Sequence, residues 1–229
     1  MSETAEQPTQ VVPQPNLRGG LTDDTCEILL IRHGRSADVA PGSPESADPP
    51  LHEIGVEQAT RLAERLAGKE IHAVASSHLA RARQTAAPLA EALGLDVEVF
   101  VDLEEVRLGD WSNGELRRRA ATDDPEFLAW AATGRWDGIP GGEGDDSLRT
   151  RVTTIVESLA DRHRGRTVAV VCHGGVIAAY LAHVLGIERS LWMAVENTSV
   201  SVVHLGPAGP FVVTANDCHH LYDPVFGPG

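Results

Sequence analysis

The sequence predicts a single α/β domain with a mainly parallel central sheet, helices on both faces and one antiparallel edge. Apolar runs of strand length alternate with stretches of helical periodicity along most of the 229 residues, a pattern typical of parallel sheets covered by crossover helices. Near the C-terminus only residues 206–209 separate two strand-like runs, which indicates a hairpin and therefore an antiparallel edge.

Each predicted element rests on its periodicity. A leader of residues 1–22, rich in Gln, Pro, Asn and Gly, has little apolar periodicity and is expected to be disordered, so that one folded domain spans residues 23–229. We predict strands at residues 27–31, 72–76, 167–172, 198–205 and 211–215. We predict helices at residues 53–67, 79–93, 145–163 and 174–185.

Two segments fall outside this alternation. Residues 37–50 contain four prolines, and residues 109–144 contain three of the four tryptophans. Loops over the carboxyl ends of strands commonly define the substrate. Trp111, Trp130 and Trp136 are therefore expected either to line a pocket or to pack in the core or a lid.

Composition and charge disfavour several classes of function. A formal net charge of −14 disfavours binding to nucleic acid or to an anionic membrane, because phosphate groups attract net basic surface. Polar side chains interrupt the apolar residues 167–187, which are predicted to form a buried strand and helix and no membrane span. Three widely spaced cysteines favour a reducing, cytoplasmic location over a disulfide or zinc framework.

Two His-Gly pairs stand directly after predicted buried strands. His33 and Gly34, preceded by Arg32, follow the first strand-like run, and His173 and Gly174 follow a later one. Open α/β sheets hold their ligands at the carboxyl ends of strands. The two pairs are therefore expected to meet in one pocket.

A third element lies between the two pairs. A short apolar strand ends in the hydroxyls of Ser76 and Ser77 and leads into a helix with Arg81 and Arg83 in its first turns. Helix N-termini bind anions because their backbone N–H groups are unpaired. This segment is therefore a candidate anion-binding site, with Arg83 expected in a structural role.

These motifs resemble the histidine phosphatase superfamily, in the branch that includes phosphoglycerate mutase and fructose-2,6-bisphosphatase. The resemblance covers about residues 26–205 and rests on motifs at residues 30–36, 50–59, 76–82, 103–111, 140–151 and 172–175. It implies the α/β architecture given above and a histidine acid phosphatase-type phosphomonoesterase that acts on a small phosphorylated metabolite. Such a mechanism needs no metal or organic cofactor.

The resemblance assigns four residues to the phosphate pocket: Arg32, His33, Arg81 and His173. A neutral imidazole is a competent nucleophile near pH 7, so His33 is expected to become a phosphohistidine, with a backbone carbonyl on its other ring nitrogen fixing the tautomer. The guanidinium groups of Arg32 and Arg81 match phosphate oxygens and keep His33 unprotonated. A protonated His173 would add a third positive donor.

Residues beside this pocket are predicted to bind the substrate as well. Ser36 offers a hydroxyl, Arg35 offers a cation, and Gly174 follows His173. The basic run of residues 115–119 is interpreted as a solvated helix face, or, because this part of the chain lies near the substrate in related enzymes, as part of the pocket mouth.

A carboxyl group is needed to protonate the leaving group. Glu105 lies four residues before Gly109, as the acid of the family lies before its glycine. Glu104 is the alternative, because alternation along an extended segment directs only one of the two towards the pocket. Residues 216–220, with one cysteine and two histidines, lack metal-ligand spacing and are expected to pack or fray near the C-terminus.

The chain departs from the family pattern at several positions. Arg35 stands where an acid is common, residues 38–39 replace the usual Trp-Asn, Gly144 replaces a serine and Ala178 replaces a frequent arginine. These departures leave the substrate open. The alternatives are a cofactor-dependent phosphoglycerate mutase-type phosphotransferase and a catalytically silent phosphate-binding module. The oligomeric state is also open, with a homodimer as one option.

Overall fold

A computed structural model describes residues 24–40 and 42–222; the predicted leader, residues 1–22, lies outside this part of the chain. The strands are β1 Cys26–Arg32, β2 Ala73–Ser77, β3 Val97–Phe100, β4 Thr167–Cys172, β5 Val200–Gly206 and β6 Gly209–Asp217. The helices are α1 Glu53–Leu66, α2 Ala80–Leu93, α3 Glu115–Ala121, α4 Pro125–Thr133, α5 Gly144–Arg162 and α6 Gly174–Leu185.

The strands form one six-stranded sheet in the order β3-β2-β4-β1-β5-β6. Strands β3, β2, β4 and β1 pair in parallel, whereas β5 pairs antiparallel with β1 and β6 antiparallel with β5. The predicted fold class is therefore confirmed, including the hairpin, in which Gly206 pairs with Gly209. The antiparallel part begins at β5, directly beside β1.

The side chains of β1 alternate between two hydrophobic cores, one on each face of the sheet. Ile28 and Leu30 belong to the core that α5 and α6 cover, and Leu29 and Ile31 belong to the core that α1 and α2 cover. All four side chains are fully buried, and burial of each contributes about 1.5–3 kcal/mol. This alternation explains why the first strand is a continuous apolar run.

Three described elements were not predicted. Strand β3 is a four-residue edge strand with half-exposed side chains, so its apolar signal is weak. Helices α3 and α4 lie within residues 109–144, which the sequence pattern excluded from the alternation. The sequence contained a local signal for α4, because Asp124 followed by Pro125 is typical of a helix start. In the structure Asp124 accepts hydrogen bonds from two backbone N–H groups of the first turn.

The apolar residues 167–187 form β4 and the twelve-residue α6, as predicted. In the part of the chain that the structure describes, no helix is long and apolar enough to cross a membrane.

Candidate active site

The two predicted histidines lie side by side at the carboxyl end of the sheet. In the parallel pairing of β1 with β4, Arg32 stands opposite Cys172, so the next residue on each strand is a histidine. The backbone N–H of His33 donates to the Cys172 carbonyl over 3.0 Å. The ring centroids of His33 and His173 are 5.0 Å apart, and both side chains are buried.

His33 is held as a neutral ring with a defined tautomer. Its Nδ1 lies 2.7 Å from the Gly34 carbonyl oxygen, which only accepts, so Nδ1 carries the proton and Nε2 keeps a lone pair. Arg81 Nε donates to this Nε2 over 3.2 Å. Burial, followed by the positive charges of Arg81 and Arg32, lowers the pKa of His33 to about 3. The predicted carbonyl partner and the predicted effect of the arginines are both present.

The glycine after His33 allows a close contact between two motifs. A Cβ on Gly34 would lie 2.6 Å from the Gly55 carbonyl oxygen, and a Cβ on Gly55 would lie 2.1 Å from the Arg35 carbonyl oxygen. The Gly34 N–H also donates to Thr85 Oγ1 of α2 over 2.9 Å. The turn that carries His33 is therefore packed directly against α1 and α2.

The two predicted phosphate-binding arginines come from different elements, Arg32 from the end of β1 and Arg81 from the first turn of α2. Arg32 donates from Nη1 to the Val195 carbonyl, and its buried Nε has no hydrogen-bond partner among the described residues. Burial lowers the pKa of both Arg32 and Arg81, and the negative charge of Glu105 is the largest opposing influence on each. Both arginines therefore offer cationic donors close to the two rings.

His173 lies beneath the pocket floor. Its Nε2 is 2.9 Å from Ser77 Oγ, and its buried Nδ1 has no hydrogen-bond partner in the described part of the chain. Burial, followed by the positive charges of His33, Arg81 and Arg32, lowers the pKa of His173 well below its ordinary value. Burial therefore disfavours the protonated ring, which is the form of His173 that would add a third positive donor.

Glu105 and Glu104 point to different surroundings. Glu105 Oε1 accepts from the Val106 N–H over 3.0 Å, and Oε2 lies 3.4 Å from the Gly175 N–H at the start of α6. A Cβ on Gly175 would lie 2.6 Å from Glu105 Oε1, so the carboxylate approaches α6 where no side chain intervenes. Glu104 instead pairs with Arg107 Nε over 2.6 Å. Only Glu105 acts electrostatically on both pocket arginines.

A cavity of about 510 Å³ opens above these groups. The predicted site residues among its lining are Arg32, His33, Ser36, Arg81 and Glu105. Gly174 lies beneath Arg32, with its Cβ position 3.5 Å from Arg32 Nε. Arg35 is not among the lining residues, and its side chain pairs with Asp38 over 2.9 Å.

The tryptophans and the basic run divide between pocket and packing. Trp111 lines the cavity. Trp130 lies in the hydrophobic core, with its ring centroid 5.4 Å from that of Trp111 and 5.4 Å from that of Trp136. In the basic run Arg117 lines the cavity, and Arg118 forms an ion pair with a glutamate on the helix surface. In both segments, therefore, some residues line the cavity, while others pack in the core or lie on the helix surface.

Asp48 is a site residue that the sequence did not indicate. Both of its carboxylate oxygens accept from the Ala80 N–H, over 2.8 and 3.0 Å, and one lies 3.6 Å from Arg81 Nη1. The N-terminus of α2, which was a candidate anion site, thus already binds a carboxylate of the protein. Asp48 lies in the proline-rich loop, where no periodicity relates it to α2 in the sequence.

The C-terminal residues 216–220 pack against α1. Asp217 forms an ion pair with Arg65 over 2.5 Å, and His220 Nε2 lies 3.1 Å from Thr198 Oγ1. Among residues 24–40 and 42–222 no group of three or more His, Cys, Asp and Glu side chains is arranged to hold a metal ion.

Comparisons with known proteins agree with this geometry. A model of the histidine phosphatase superfamily (branch 1) matches residues 28–218, a range that extends beyond the predicted resemblance to include β6. The chain is 35% identical over 209 residues to phosphoglycerate mutase-like protein 4 of Arabidopsis thaliana, covering 89% of this chain and 90% of the relative.

Two phosphatases are also similar. The metal-independent phosphoserine phosphatase of Arabidopsis thaliana is 35% identical over 204 residues, covering 86% of this chain and 84% of the relative. The native structure of a mycobacterial glucosyl-3-phosphoglycerate phosphatase superposes with a TM-score of 0.70 at 28% identity, covering 84% of this chain and 99% of that chain.

Proposed function

The chain belongs to the histidine phosphatase superfamily, and on that premise we propose that it is a metal-independent phosphomonoesterase that acts through a phosphohistidine at His33. The observation that carries the proposal is the state of His33: its Nδ1 proton is engaged by the Gly34 carbonyl, and its Nε2 lone pair faces Arg81. This is the state that an attacking imidazole requires.

In the proposed first step, the phosphate of the substrate binds over the two rings. Arg32, Arg81 and His173 donate to its non-bridging oxygens, and Arg81 Nε exchanges its contact with His33 Nε2 for a phosphate oxygen. The negative charge of the phosphate raises the pKa of His173, so that its ring gains a proton and becomes a charged donor.

The His33 Nε2 lone pair then attacks phosphorus. The nitrogen–phosphorus bond forms as the bond from phosphorus to the ester oxygen breaks, and Glu105 transfers a proton to that oxygen. The carboxyl group that remains is ionised and next to the departed alcohol. Guanidinium groups neutralise the charge that develops on the phosphoryl oxygens, which is the role that a metal ion fills in other phosphoryl-transfer enzymes.

In the second step Glu105 acts as a general base. Its carboxylate removes a proton from water, the water oxygen attacks phosphorus, and the bond to His33 Nε2 breaks with release of inorganic phosphate. Glu105 is thereby reprotonated for the next cycle.

The proposed substrate is a small phosphorylated metabolite. A cavity of about 510 Å³ lies above the phosphate-binding groups, within the size range of small-molecule sites. The similar proteins are named for phosphoserine and glucosyl-3-phosphoglycerate, which are both phosphomonoesters. The formal net charge of −14 does not oppose this, because the pocket itself is cationic through Arg32 and Arg81.

The phosphoenzyme is the test of this mechanism. Acid-labile, base-stable label should appear on protein that is quenched during turnover of a labelled phosphomonoester, and His33→Ala should abolish it together with hydrolysis of p-nitrophenyl phosphate. Hydrolysis should persist in EDTA. Undiminished label on His33→Ala would assign the nucleophile elsewhere, and rescue of an EDTA-treated enzyme by a divalent metal would contradict the metal-independent mechanism.

A phosphotransferase of the phosphoglycerate mutase type is the second candidate, and the position of Arg117 favours it. Arg117 lines the cavity, where it would provide a cation for the second phosphate that a mutase must hold. Incubation with 3-phosphoglycerate and catalytic 2,3-bisphosphoglycerate distinguishes the two. A phosphatase releases free phosphate faster than 2-phosphoglycerate forms, and a mutase shows the reverse order.

A further inference from the structure

One of the sequence motifs has no role in the reaction described above: residues 140–151, which contain Glu143 and, on α5, Arg151. We propose that the ion pair between Glu143 and Arg151 is a positioning pair that holds Glu105 at the substrate. This inference rests on the proposed function, in which Glu105 is the proton donor.

Glu143 and Arg151 form a buried, two-point ion pair. Arg151 Nη2 lies 2.6 Å from Glu143 Oε1, and Arg151 Nε donates to Oε2 over 3.1 Å. The two side chains are only 7% and 8% exposed. Two parallel hydrogen bonds fix the relative orientation of the groups as well as their separation.

Both members of the pair also bind the backbone on either side of Glu105. Arg151 Nη1 donates to the carbonyl oxygens of Asp102 and Glu104, over 2.8 and 3.0 Å. On the other side, Glu143 Oε1 accepts from the Arg107 N–H over 2.9 Å, and the Glu143 N–H donates to the Arg107 carbonyl over 2.9 Å. The ion pair thus holds the backbone at residues 102 and 104 on one side of Glu105 and at residue 107 on the other.

The stretch around Glu105 has little internal support for its conformation. Residues 104–108 belong to no helix or strand, and Glu105 itself has one hydrogen bond to its neighbour Val106 and a long contact of 3.4 Å with Gly175. A segment without regular structure keeps its shape only through bonds to other parts of the protein.

Glycines in the motifs at residues 103–111 and 140–151 extend the same attachment. Gly109 has a φ of +50°, and a Cβ there would lie 2.2 Å from the Gly141 carbonyl carbon. The Asp110 N–H donates to the Pro140 carbonyl over 2.9 Å. Residues 107–110 and 140–143 therefore run in direct backbone contact, with the ion pair at the end nearer to Glu105.

The chemistry makes this position important. A general acid is effective only within hydrogen-bond distance of the oxygen that it protonates, so a displacement of about 1 Å is costly. Glu105 must serve in this way twice, for the leaving group and then for water. Loosening residues 104–108 should therefore impair proton transfer more than phosphate binding, which depends on residues from β1, α2 and β4.

Helix α5 provides a matched control in Arg149. Like Arg151, Arg149 binds one carboxylate, Asp145, and two backbone carbonyls, those of Ile187 and Glu188, over 2.8 and 2.7 Å. Its carbonyl partners lie in the loop after α6, which carries none of the proposed catalytic residues. Arg149 Nε also donates to Ser190 Oγ over 3.1 Å, so Arg149→Met and Arg151→Met each remove four side-chain hydrogen bonds, from different segments.

The experiment compares phenyl phosphate with p-nitrophenyl phosphate, because phenol is the poorer leaving group and depends more on general acid catalysis. We expect Arg151→Met to lower kcat/KM on phenyl phosphate about tenfold more than on p-nitrophenyl phosphate, with Arg151→Lys intermediate, because kcat/KM covers the steps up to departure of the alcohol and excludes the hydrolysis of the phosphoenzyme that both esters share. Arg149→Met should leave the ratio of the two rates at its wild-type value. Equal losses on both esters in Arg151→Met, or the same change of ratio in Arg149→Met, would overturn the proposal.

Two further measurements separate the positioning role from folding and from the proposed function. Arg151→Met leaves the buried Glu143 carboxylate without its cation, so the double variant Glu143→Gln/Arg151→Met is measured beside it, with thermal unfolding as the check of the fold. The ¹³C-carboxyl NMR signal of Glu105, assigned with Glu105→Gln, should shift in the Arg151 variants and stay in place in Arg149→Met. An unshifted signal in the Arg151 variants overturns the positioning role. This outcome can be read even if the wild type hydrolyses neither ester, a result that would contradict the proposed function.

Discussion

Glu104 and Glu105 show how two identical neighbours in the sequence acquire different surroundings. The Glu105 carboxylate meets the first turn of α6 and is the largest opposing charge for the pKa of both pocket arginines. The Glu104 carboxylate pairs with Arg107, and its other oxygen lies 3.9 Å from His78. The choice of Glu105 as the acid, based on its spacing from Gly109, therefore has geometric support and still needs a test.

We expect Glu105→Gln to slow the hydrolysis of phenyl phosphate by about 10²- to 10⁴-fold, because the amide cannot give up a proton. The loss on p-nitrophenyl phosphate should be much smaller in the first step, since p-nitrophenolate leaves without a proton. Glu104→Gln is the matched control and should leave the ratio of the two rates unchanged. Values of kcat/KM for both esters measure this, because they exclude the hydrolysis of the phosphoenzyme, and a selective loss in Glu104→Gln would transfer the role to Glu104.

At the scale of elements, the proline-rich loop meets the site both at the cavity wall, through Ser46, Ala47 and Pro49, and at the N-terminus of α2. The ends of this loop are held together by a bridge between Ser36 and Leu51 and by a hydrogen bond of 2.8 Å from the Ala37 N–H to the Pro50 carbonyl. Asp48, near its end, caps α2 and lies beside Arg81. The loop therefore influences the phosphate pocket through a helix cap.

We expect Asp48→Ala to lower the free energy of unfolding by about 1 kcal/mol, as for loss of a side chain that accepts from a helix N-terminal N–H, and to raise KM severalfold, because Arg81 loses a neighbouring carboxylate that helps to orient it. Asp48→Asn should lose less stability, since one amide oxygen still accepts from the Ala80 N–H. Urea unfolding and steady-state kinetics measure the two effects.

Asp124 supplies the control for this prediction. It caps α4 by accepting from the N–H groups of Glu126 and Phe127, over 2.9 and 3.2 Å, and does not contact Arg81. Asp124→Ala should therefore lower stability by a similar amount and leave KM unchanged. If both variants raise KM equally, the effect of Asp48 is one of general stability.

At the scale of the whole molecule, folding places several histidines where they cannot hold a proton. Burial is the main cause in each case: it lowers the pKa of His33 to about 3, that of His220 to about 4 and that of His173 well below its ordinary value. In the unfolded chain a histidine has a pKa of about 6.5. Below that pH the unfolded state binds more protons than the folded state, and the protein loses stability.

We therefore expect the free energy of unfolding to be highest above about pH 6.5 and to fall as the pH decreases towards 4. Each of these histidines contributes up to about 1.4 kcal/mol per pH unit in that interval. Urea unfolding at pH 7.5, 6.5 and 5.5 measures how steeply the free energy of unfolding changes with pH. His33→Gln should reduce this slope by an amount that corresponds to at most one bound proton. A free energy that stays constant over this range would contradict the burial of the neutral rings.

Much of the fold and part of the site follow from local sequence patterns. The alternation of strands and helices, the hairpin at residues 206–209 and the position of His33 and His173 after buried strands are all visible over short windows. Burial on both faces of the sheet requires continuous apolar runs, and parallel strands align their carboxyl ends, so these features are encoded by residues close together in the chain.

Other features were decided only by tertiary contacts. The cap that Asp48 forms on α2 and the attachment of the stretch around Glu105 by Glu143 and Arg151 leave no periodic trace in the sequence. The edge strand β3 was not predicted because its short segment is half exposed. Sequence patterns report how each residue is buried within its own element, whereas these contacts join separate elements or irregular loops, and their partners are set by the packing of the whole chain.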